Sequence, residues 1–436
     1  MKTVIVGAGP AGLFAAKVLS DEHEVTIIDR MPFIGGAGLH SDGKLNFHPQ
    51  IGGNLLEFMN QKKAWELIKS IESFFVEMGA DPPEFMEKEM KELEIKALKA
   101  GIKFIPIRQT HIGSDNLPNV MKNIREFLES KGVEFLLRTE VKDLVVEDRR
   151  VSGIVTEKEV IEGDYFLIAP GRSGFEWMEY LVKKYNLNYF FNPIDIGVRV
   201  EVLDEVFKEL VEDFKIWDPK FHIMTESYDD FVRTFCTNPS GFVVKESYGN
   251  SLVGVNGHAM KKTKSVNTNF AFLVRINLTQ PLENTTAYGK RIAQLTNTLG
   301  GGKPLIQRLG DLKKHRRSTW ERIRRSYVEP TLKDVTPGDI AMAYPERVVT
   351  DILEGLKMLD RVVPGVFSDS TLLYAPEIKF HAIRPTMNKN LQSLDIPNLF
   401  FAGDGAGVSR GIVGAAATGV IAGEGILKVS KSSFKH

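Results

Sequence analysis

Both ends of this chain carry the same punctuation, which constrains the fold more than anything between them. Lys2-Thr3-Val4-Ile5-Val6 runs into Gly7-Ala8-Gly9-Pro10-Ala11-Gly12, and Asn398-Leu399-Phe400-Phe401-Ala402 runs into Gly403-Asp404-Gly405-Ala406-Gly407. Each is a short apolar strand ending in a glycine cluster that opens a helix of small residues. The first has the spacing G-x-G-x-x-G: one glycine for the tight bend, one for close approach of the backbone to a pyrophosphate, one for helix–strand packing. The N–H groups at the helix start, with the macrodipole behind them, attract phosphate. A second strand, Val25-Thr26-Ile27-Ile28, ends in Asp29. That acid lies about twenty residues beyond the motif, where a carboxylate accepts hydrogen bonds from an adenosine ribose.

A chain of 436 residues exceeds one small core, so two domains are expected. Its 56 basic and 56 acidic side chains cancel, leaving no net field to draw in nucleic acid or an anionic membrane. No segment reads as an uncharged spanning helix. The apolar N-terminus enters the glycine turn and is not a signal peptide. A cytoplasmic protein without a membrane span is therefore expected. Cys236 is alone, so no disulfide can form within the chain and no C-x-x-C redox pair exists; it reads as a small hydrophobe on a strand.

After Asp29 comes a loop, 30–45, with four glycines and the polar side chains Arg30, His40, Ser41, Asp42 and Lys44. It reads either as a surface loop or as a flap along a cofactor with one side chain near the reactive ring. Residues 54–100 have helical periodicity, the second part as a charged helix. Strands and helices then alternate from Lys103, through a hairpin meander around 141–155, to Tyr165-Phe166-Leu167-Ile168-Ala169-Pro170-Gly171. Buried strands ending one after another in glycine turns mark the ligand edge of a doubly wound sheet.

Around Pro193 the pattern changes to alternation of polar and apolar residues, as in Asp195-Ile196-Gly197-Val198-Arg199-Val200-Glu201, which predicts half-buried antiparallel strands. The expected fold class is α/β: a Rossmann-like nucleotide-binding domain with a doubly wound sheet, 1–192 and 346–436, and an inserted α+β substrate or cap domain, 193–345, on an antiparallel sheet. The helices of 51–104 form an excursion from the first domain. Seven basic residues between 313 and 325 (Lys313, Lys314, Arg316, Arg317, Arg322, Arg324 and Arg325) read as a solvated face, an anion site, or less readily an RNA surface. The glycine-rich segment 411–423 cannot be helical by propensity alone, so packing must hold it close to a planar ligand and to the first helix.

With these residues assembled, the chain resembles flavoproteins of the glutathione-reductase-like, single-nucleotide layout. Closer still, Gly35-Gly36-Ala37-Gly38 with Ser41-Asp42-Gly43-Lys44-Leu45 resembles a family of uncharacterised FAD-dependent dehydrogenases, related to geranylgeranyl-reductase-type oxidoreductases. Gly197-Val198-Arg199-Val200-Glu201, Thr234-Phe235-Cys236, Gly300-Gly301-Gly302-Lys303-Pro304 and Gly407-Val408-Ser409-Arg410-Gly411 add to the match. The resemblance implies bound FAD and hydride transfer at flavin N5. A second dinucleotide motif is missing, because Gly300-Gly301-Gly302 lacks a preceding strand, so NAD(P)H would act only as a transient electron donor.

The residues assigned to FAD are Gly7, Gly9, Pro10, Ala11 and Gly12 of the first turn, with Asp29 and Arg30 at the ribose. Gly36 and Ser41 come from the loop, Val141 from beside the adenine, and Ala169 and Gly171 from the turn that ends the run from Tyr165. Gly403, Asp404, Val413 and Gly414 come from the closing segment. Lys44 and His40, and His381 and Arg384 from the opposite side, are the catalytic candidates; no metal site is expected. The expected partner is a small, anionic molecule, with nucleic acid disfavoured and the oligomeric state open. The rivals are a reductase of isoprenoid or other apolar double bonds, an RNA-modifying or RNA-binding flavoprotein using 313–325, and a purely structural use of FAD.

Overall fold

Thr3, Val4, Ile5 and Val6 are all shielded from solvent, as residues inside a parallel sheet must be. Their strand, Lys2–Val6, pairs in parallel with Glu24–Ile28 on one side and Tyr165–Ile168 on the other; Glu134–Leu136 and Leu399–Phe401 complete the sheet. Chain direction across the sheet reverses at Lys2–Val6, so a crevice is expected at the carboxyl ends of Lys2–Val6 and Tyr165–Ile168. The computed structural model describes residues 1–36, 43–113, 116–249, 251–260, 263–280 and 283–433.

The opening helix, Pro10–Leu19, starts with proline at its first turn, where no N–H is required. The closing helix, Gly411–Ser433, packs along it. One helix bears on the expectation that no uncharged segment spans a bilayer. Gly411–Ser432 is long and apolar enough, with mean hydropathy 1.5, but 67% of its apolar window is buried within the protein. Its composition answers to core packing. A three-stranded antiparallel ribbon, Val141–Glu147, Arg150–Thr156 and Val160–Glu162, sits in the predicted meander.

Contacts divide the chain into one unit of Met1–Phe85, Ile107–Asn192 and His381–His436, and another of Met86–Pro106 and Pro193–Phe380. The expected boundaries lay elsewhere, with 346–436 and the 51–104 excursion in the first domain. Instead, 346–380 supplies the helix Glu346–Leu359 and the strand Leu372–Lys379 to the second unit, and Lys103–Ile105 pairs with Lys220–Met224 in that unit's sheet. Leu372–Lys379 is buried along almost its whole length, and such a run carries no alternation that would assign it to either sheet.

The second unit is built on an eight-stranded, mostly antiparallel sheet centred on Ile194–Leu203 and Asn267–Ile276. The even positions of Ile194–Leu203 are apolar and lie on the face that packs the helix Glu346–Leu359. The odd positions were expected to face solvent, yet Asp195, Arg199 and Glu201 are fully buried. Partners replace the water. Arg199 donates to Glu377 Oε1 (2.6 Å), Asn256 Oδ1 (2.9 Å) and the Cys236 carbonyl (2.9 Å). Glu201 accepts from Tyr374 and Thr331 at 2.5 Å each and from Asn267 at 3.1 Å. Such a buried ion pair contributes little net stability, but removing one partner strands the other. Cys236 lies on a strand as expected, half-buried, with φ +49° beside a bulge.

The Gly300–Gly302 cluster ends a helix rather than opening one: Gly301, at φ +63°, caps Thr285–Gly300 ahead of the strand Leu305–Arg308. That is the glycine C-cap, the reverse order from a dinucleotide turn.

One buried acid makes this unit sensitive to pH. Asp351, on the helix Glu346–Leu359, is fully buried and accepts from Thr225 Oγ1 at 2.7 Å. Burial, with the Asp230 carboxyl beside it, pushes its pKa up to about 6, while Arg347 holds Asp230 ionised. A folded pKa above the unfolded one means the acid's contribution is full below the unfolded value and is lost as pH rises through about 6. Asp351→Asn, which keeps an acceptor for Thr225, is expected to raise Tm at about pH 8 and to give a shrinking gain towards about pH 4.5. Thermal melts across that range check it; a gain independent of pH would contradict the assignment.

Candidate nucleotide and active site

The first unit gathers the predicted turns at one edge of its sheet. Gly7 takes φ +109°, and a Cβ there would stand 2.1 Å from the Ala169 carbonyl oxygen. Gly12 is equally constrained: its Cβ would lie 2.0 Å from the Gly7 oxygen. Both glycines are therefore needed for packing. Gly9 is different, for among the described residues a Cβ there meets nothing within 4 Å. No side chain among the described residues caps the helix start at Gly9, so the Ala11 and Gly12 end of Pro10–Leu19 presents its N–H groups beside open space.

Asp29 fastens this turn. Its Oδ2 accepts from the Ala8 N–H (2.7 Å) and its Oδ1 from the Met31 N–H (2.8 Å). Each oxygen keeps a second lone pair, so the acid can brace the loop and still accept from a ribose hydroxyl. Arg30 beside it is exposed. The Gly35 N–H donates to the Ala8 carbonyl at 2.7 Å, and Gly36, at φ +55°, packs on Gly9. The backbone of Arg138 and Thr139 donates to Met31 and Asp29, which brings the start of the strand at Val141 towards the same loop. Gly171 takes φ +66° with open space around its absent Cβ.

The closing segment reaches the opening one by backbone contact. A Cβ on Gly403 would stand 3.1 Å from the Ala11 Cβ, and one on Gly419 2.0 Å from the Ala11 oxygen. The Gly403 N–H donates to Thr418 Oγ1 at 3.0 Å. Asp404 accepts from Ser409 Oγ (2.8 Å) and the Gly411 N–H (3.3 Å), with Arg172 Nε 3.8 Å away. Burial raises its pKa, against the pull of Arg172 and Ser409. Val413 is buried in the first turn of the closing helix, where a Cβ on Gly414 would lie 1.8 Å from the Gly52 oxygen.

The catalytic candidates separate. His40 and Ser41 lie outside the described residues. Lys44 opens the strand Lys44–Phe47, half-buried and in register with His111 of Arg108–His111. Leu45 and Phe47 on the reverse side belong to the core of the first unit, so Lys44, Asn46, Gln109 and His111 share a polar face. Arg384 is engaged structurally: its Nη1 donates to Glu57 Oε2 at 2.8 Å, and its guanidinium lies over Phe58 (5.4 Å) and Phe190 (5.5 Å). His381 is half-buried three residues earlier. Of the seven basic residues in 313–325, Lys313 and Lys314 pair with Asp369, Arg316 with Asp311 and Arg325 with Glu321. Four of the seven cations thus have carboxylate partners, drawn from three acids.

The sequence reading missed Gly52, whose φ is +78° and whose carbonyl accepts from the Arg410 N–H at 2.8 Å. It also missed Thr418, Arg172 and His111. The doublet Gly52-Gly53 was the one visible signal; the other three depend on strand register and helix contact.

Family models match the chain in succession. The model described as FAD dependent oxidoreductase covers residues 3–171, and FAD-dependent protein, C-terminal domain-like, covers 193–379. The chain is an FAD-dependent oxidoreductase. A third model, glucose inhibited division protein A, matches 340–432. A relative described as an uncharacterized protein of Clostridium beijerinckii is 26% identical over 98% of this chain and 81% of its own length. Among solved structures, L-proline dehydrogenase from P. horikoshii is 12% identical over 98% of this chain and 93% of that one, with a TM-score of 0.44. An open flavocytochrome c3 fumarate reductase is 15% identical over 98% and 78%, with a TM-score of 0.46.

The residues present fit FAD. Open space at Gly9 beside an uncapped helix start suits a pyrophosphate. Asp29 suits the adenosine ribose, and Asp404, at the mouth of the closing helix, suits ribityl hydroxyls. In this oxidoreductase Gly9→Ala is expected to leave the melting temperature of the apoprotein unchanged, since φ −81° and ψ 179° are open to alanine. It should weaken FAD binding roughly tenfold, the equivalent of an overpacking cost of about 1–3 kcal/mol. Gly419→Ala should lower the apoprotein's melting temperature as well. Melts and FAD titrations of both variants check the contrast; equal loss of apoprotein stability would contradict it.

Proposed function

We propose that the protein is a dehydrogenase or reductase of a small molecule, and that its FAD turns over rather than serving as a structural group. When bound, FAD supplies hydride transfer at N5. The chain's part is to hold the nucleotide by its two ends and to manage protons at the substrate. The observation that carries this reading is the gathering of Gly9, Asp29, Gly171 and Asp404 at one sheet edge in the unit that also carries Lys44.

Lys44 and His111 are our candidates for proton donation or substrate orientation, because a strand pair holds them opposite each other above a rigid apolar core. Arg384, held by Glu57 and two rings, is assigned to positioning the 381–385 segment, with His381 beside it. The single-nucleotide layout resembling glutathione-reductase-like and geranylgeranyl-reductase-type proteins supports a reductase of apolar double bonds as the competing subtype. Pairing of the 313–325 cations with Asp369, Asp311 and Glu321 argues for a solvated face over an RNA surface. NAD(P)H is proposed as a transient donor, and the cytoplasm as the compartment.

Purified protein is expected to be yellow and to release FAD on denaturation. Anaerobic mixing with NADH, NADPH or dithionite should bleach the flavin band, and a screen of oxidants should restore it. Lys44→Ala should slow substrate-linked reoxidation by roughly 10²-fold, the lower end for a lost general acid or base, with FAD content unchanged. A flavin that no donor or acceptor turns over would refute the catalytic reading, and unchanged kinetics in the variant would remove Lys44 from the site.

A further inference from the structure

The polar face of the second unit's sheet continues outward from Arg199 as a cationic surface. Asp195 lies in register with Arg275, and Arg233 reaches it from the next strand. Arg233 Nη2 donates to Asp195 Oδ2 at 2.6 Å and Arg275 Nε lies 3.4 Å from Oδ1, so a single buried carboxylate faces two guanidiniums. Each guanidinium is stacked: Arg275 over Phe231 at 4.6 Å and Arg233 over Phe235 at 4.9 Å. The neighbouring cation, Lys220, is already matched by Asp218 at 2.6 Å. Arg233 Nε is buried without an acceptor, while Phe231, Phe235 and Arg275 retain access to solvent.

We propose that this surface binds the carboxylate of a small organic acid, with Arg275 and Arg233 as its anchors. A guanidinium placed over a ring still has N–H groups to offer an in-plane, bidentate acceptor, which is the geometry a carboxylate offers. Arg233 and Arg275 share Asp195, and Lys103, in register with His222, adds a further cation to this face, which therefore attracts an anion. His222, in register with Arg233, adds no further cation, because burial and then the nearby Arg233 push its pKa down to about 3. Phe231 and Phe235 supply apolar walls for the carbon skeleton beyond the carboxylate. Calling the ligand a substrate rests on the redox reading above; the anion site itself does not.

Calorimetric titration of the full-length holoprotein with phenylacetate tests this, with 2-phenylethanol and inorganic phosphate as comparisons. Phenylacetate is expected to bind saturably and the alcohol not to bind. Arg275→Gln should raise the phenylacetate Kd at least about tenfold, and Arg275→Lys should fall between, since the ammonium keeps the charge and loses the bidentate edge. FAD content and melting temperature should stay at wild-type values in both. No saturable phenylacetate binding, equal binding in Arg275→Gln, or phosphate binding as tightly with the same loss would each overturn the proposal. The visible spectrum of the same samples reports separately on the redox reading, which fails if the protein carries no flavin whatever the calorimeter shows.

Discussion

No side chain fits between the opening and closing helices at their crossing. A Cβ on Gly419 would stand 2.0 Å from the Ala11 oxygen, and Gly423 is similarly confined by Ala15 and Val18. Contact of backbone with backbone sets the distance between two segments some four hundred residues apart in sequence. The same device recurs where Gly414 meets Gly52 and where Gly12 meets Gly7. Real Cβ atoms do not approach carbonyl oxygens so closely, so the glycines at these points are dictated by geometry. Dispersion gained along the seam offsets the poor helix propensity of a segment with so many glycines. Gly9 and Gly171 stand apart from this set, because among the described residues a Cβ on either would meet nothing within 4 Å.

The electrostatics follow from where the seam places charge. Asp29 joins two loops by accepting from Ala8 and Met31, and so fixes the phosphate turn through the backbone. Asp404 is half-buried and accepts from the first N–H of the closing helix, where a helix N-terminus favours an acid but partial burial opposes its ionisation. Ser409, Gly411 and Arg172 supply part of the hydration that Asp404 loses. In the second unit charge is handled differently. Arg199 and Glu377 neutralise each other in the interior, while Arg233 and Arg275 flank Asp195 on the same strands' polar face.

Much of this was legible in the chain. The parallel strands and their glycine turns are written as apolar runs ending in glycine, and the antiparallel strands from 194 onward as alternation. What alternation could not reveal is that the polar side of Ile194–Leu203 is covered. Burial there depends on Asn256, Tyr374 and Glu377, which arrive from distant sequence. Leu372–Lys379 was misplaced for a related reason, since a strand buried on both faces looks the same in any sheet. Among the candidate site residues, Gly7, Gly12, Asp29 and Asp404 could be nominated from local spacing. His111, Thr418 and Arg172 were not, because each matters through its partner across the fold.

If both ends hold one nucleotide, adding it must quieten both together. Hydrogen exchange on the apoprotein, before and after addition of FAD, measures this directly. Slowed exchange is predicted at 7–12 and at 403–414 over the same range of FAD concentration, with 313–325 unaffected. Protection confined to 7–12, with the closing segment exchanging as before, would contradict the account.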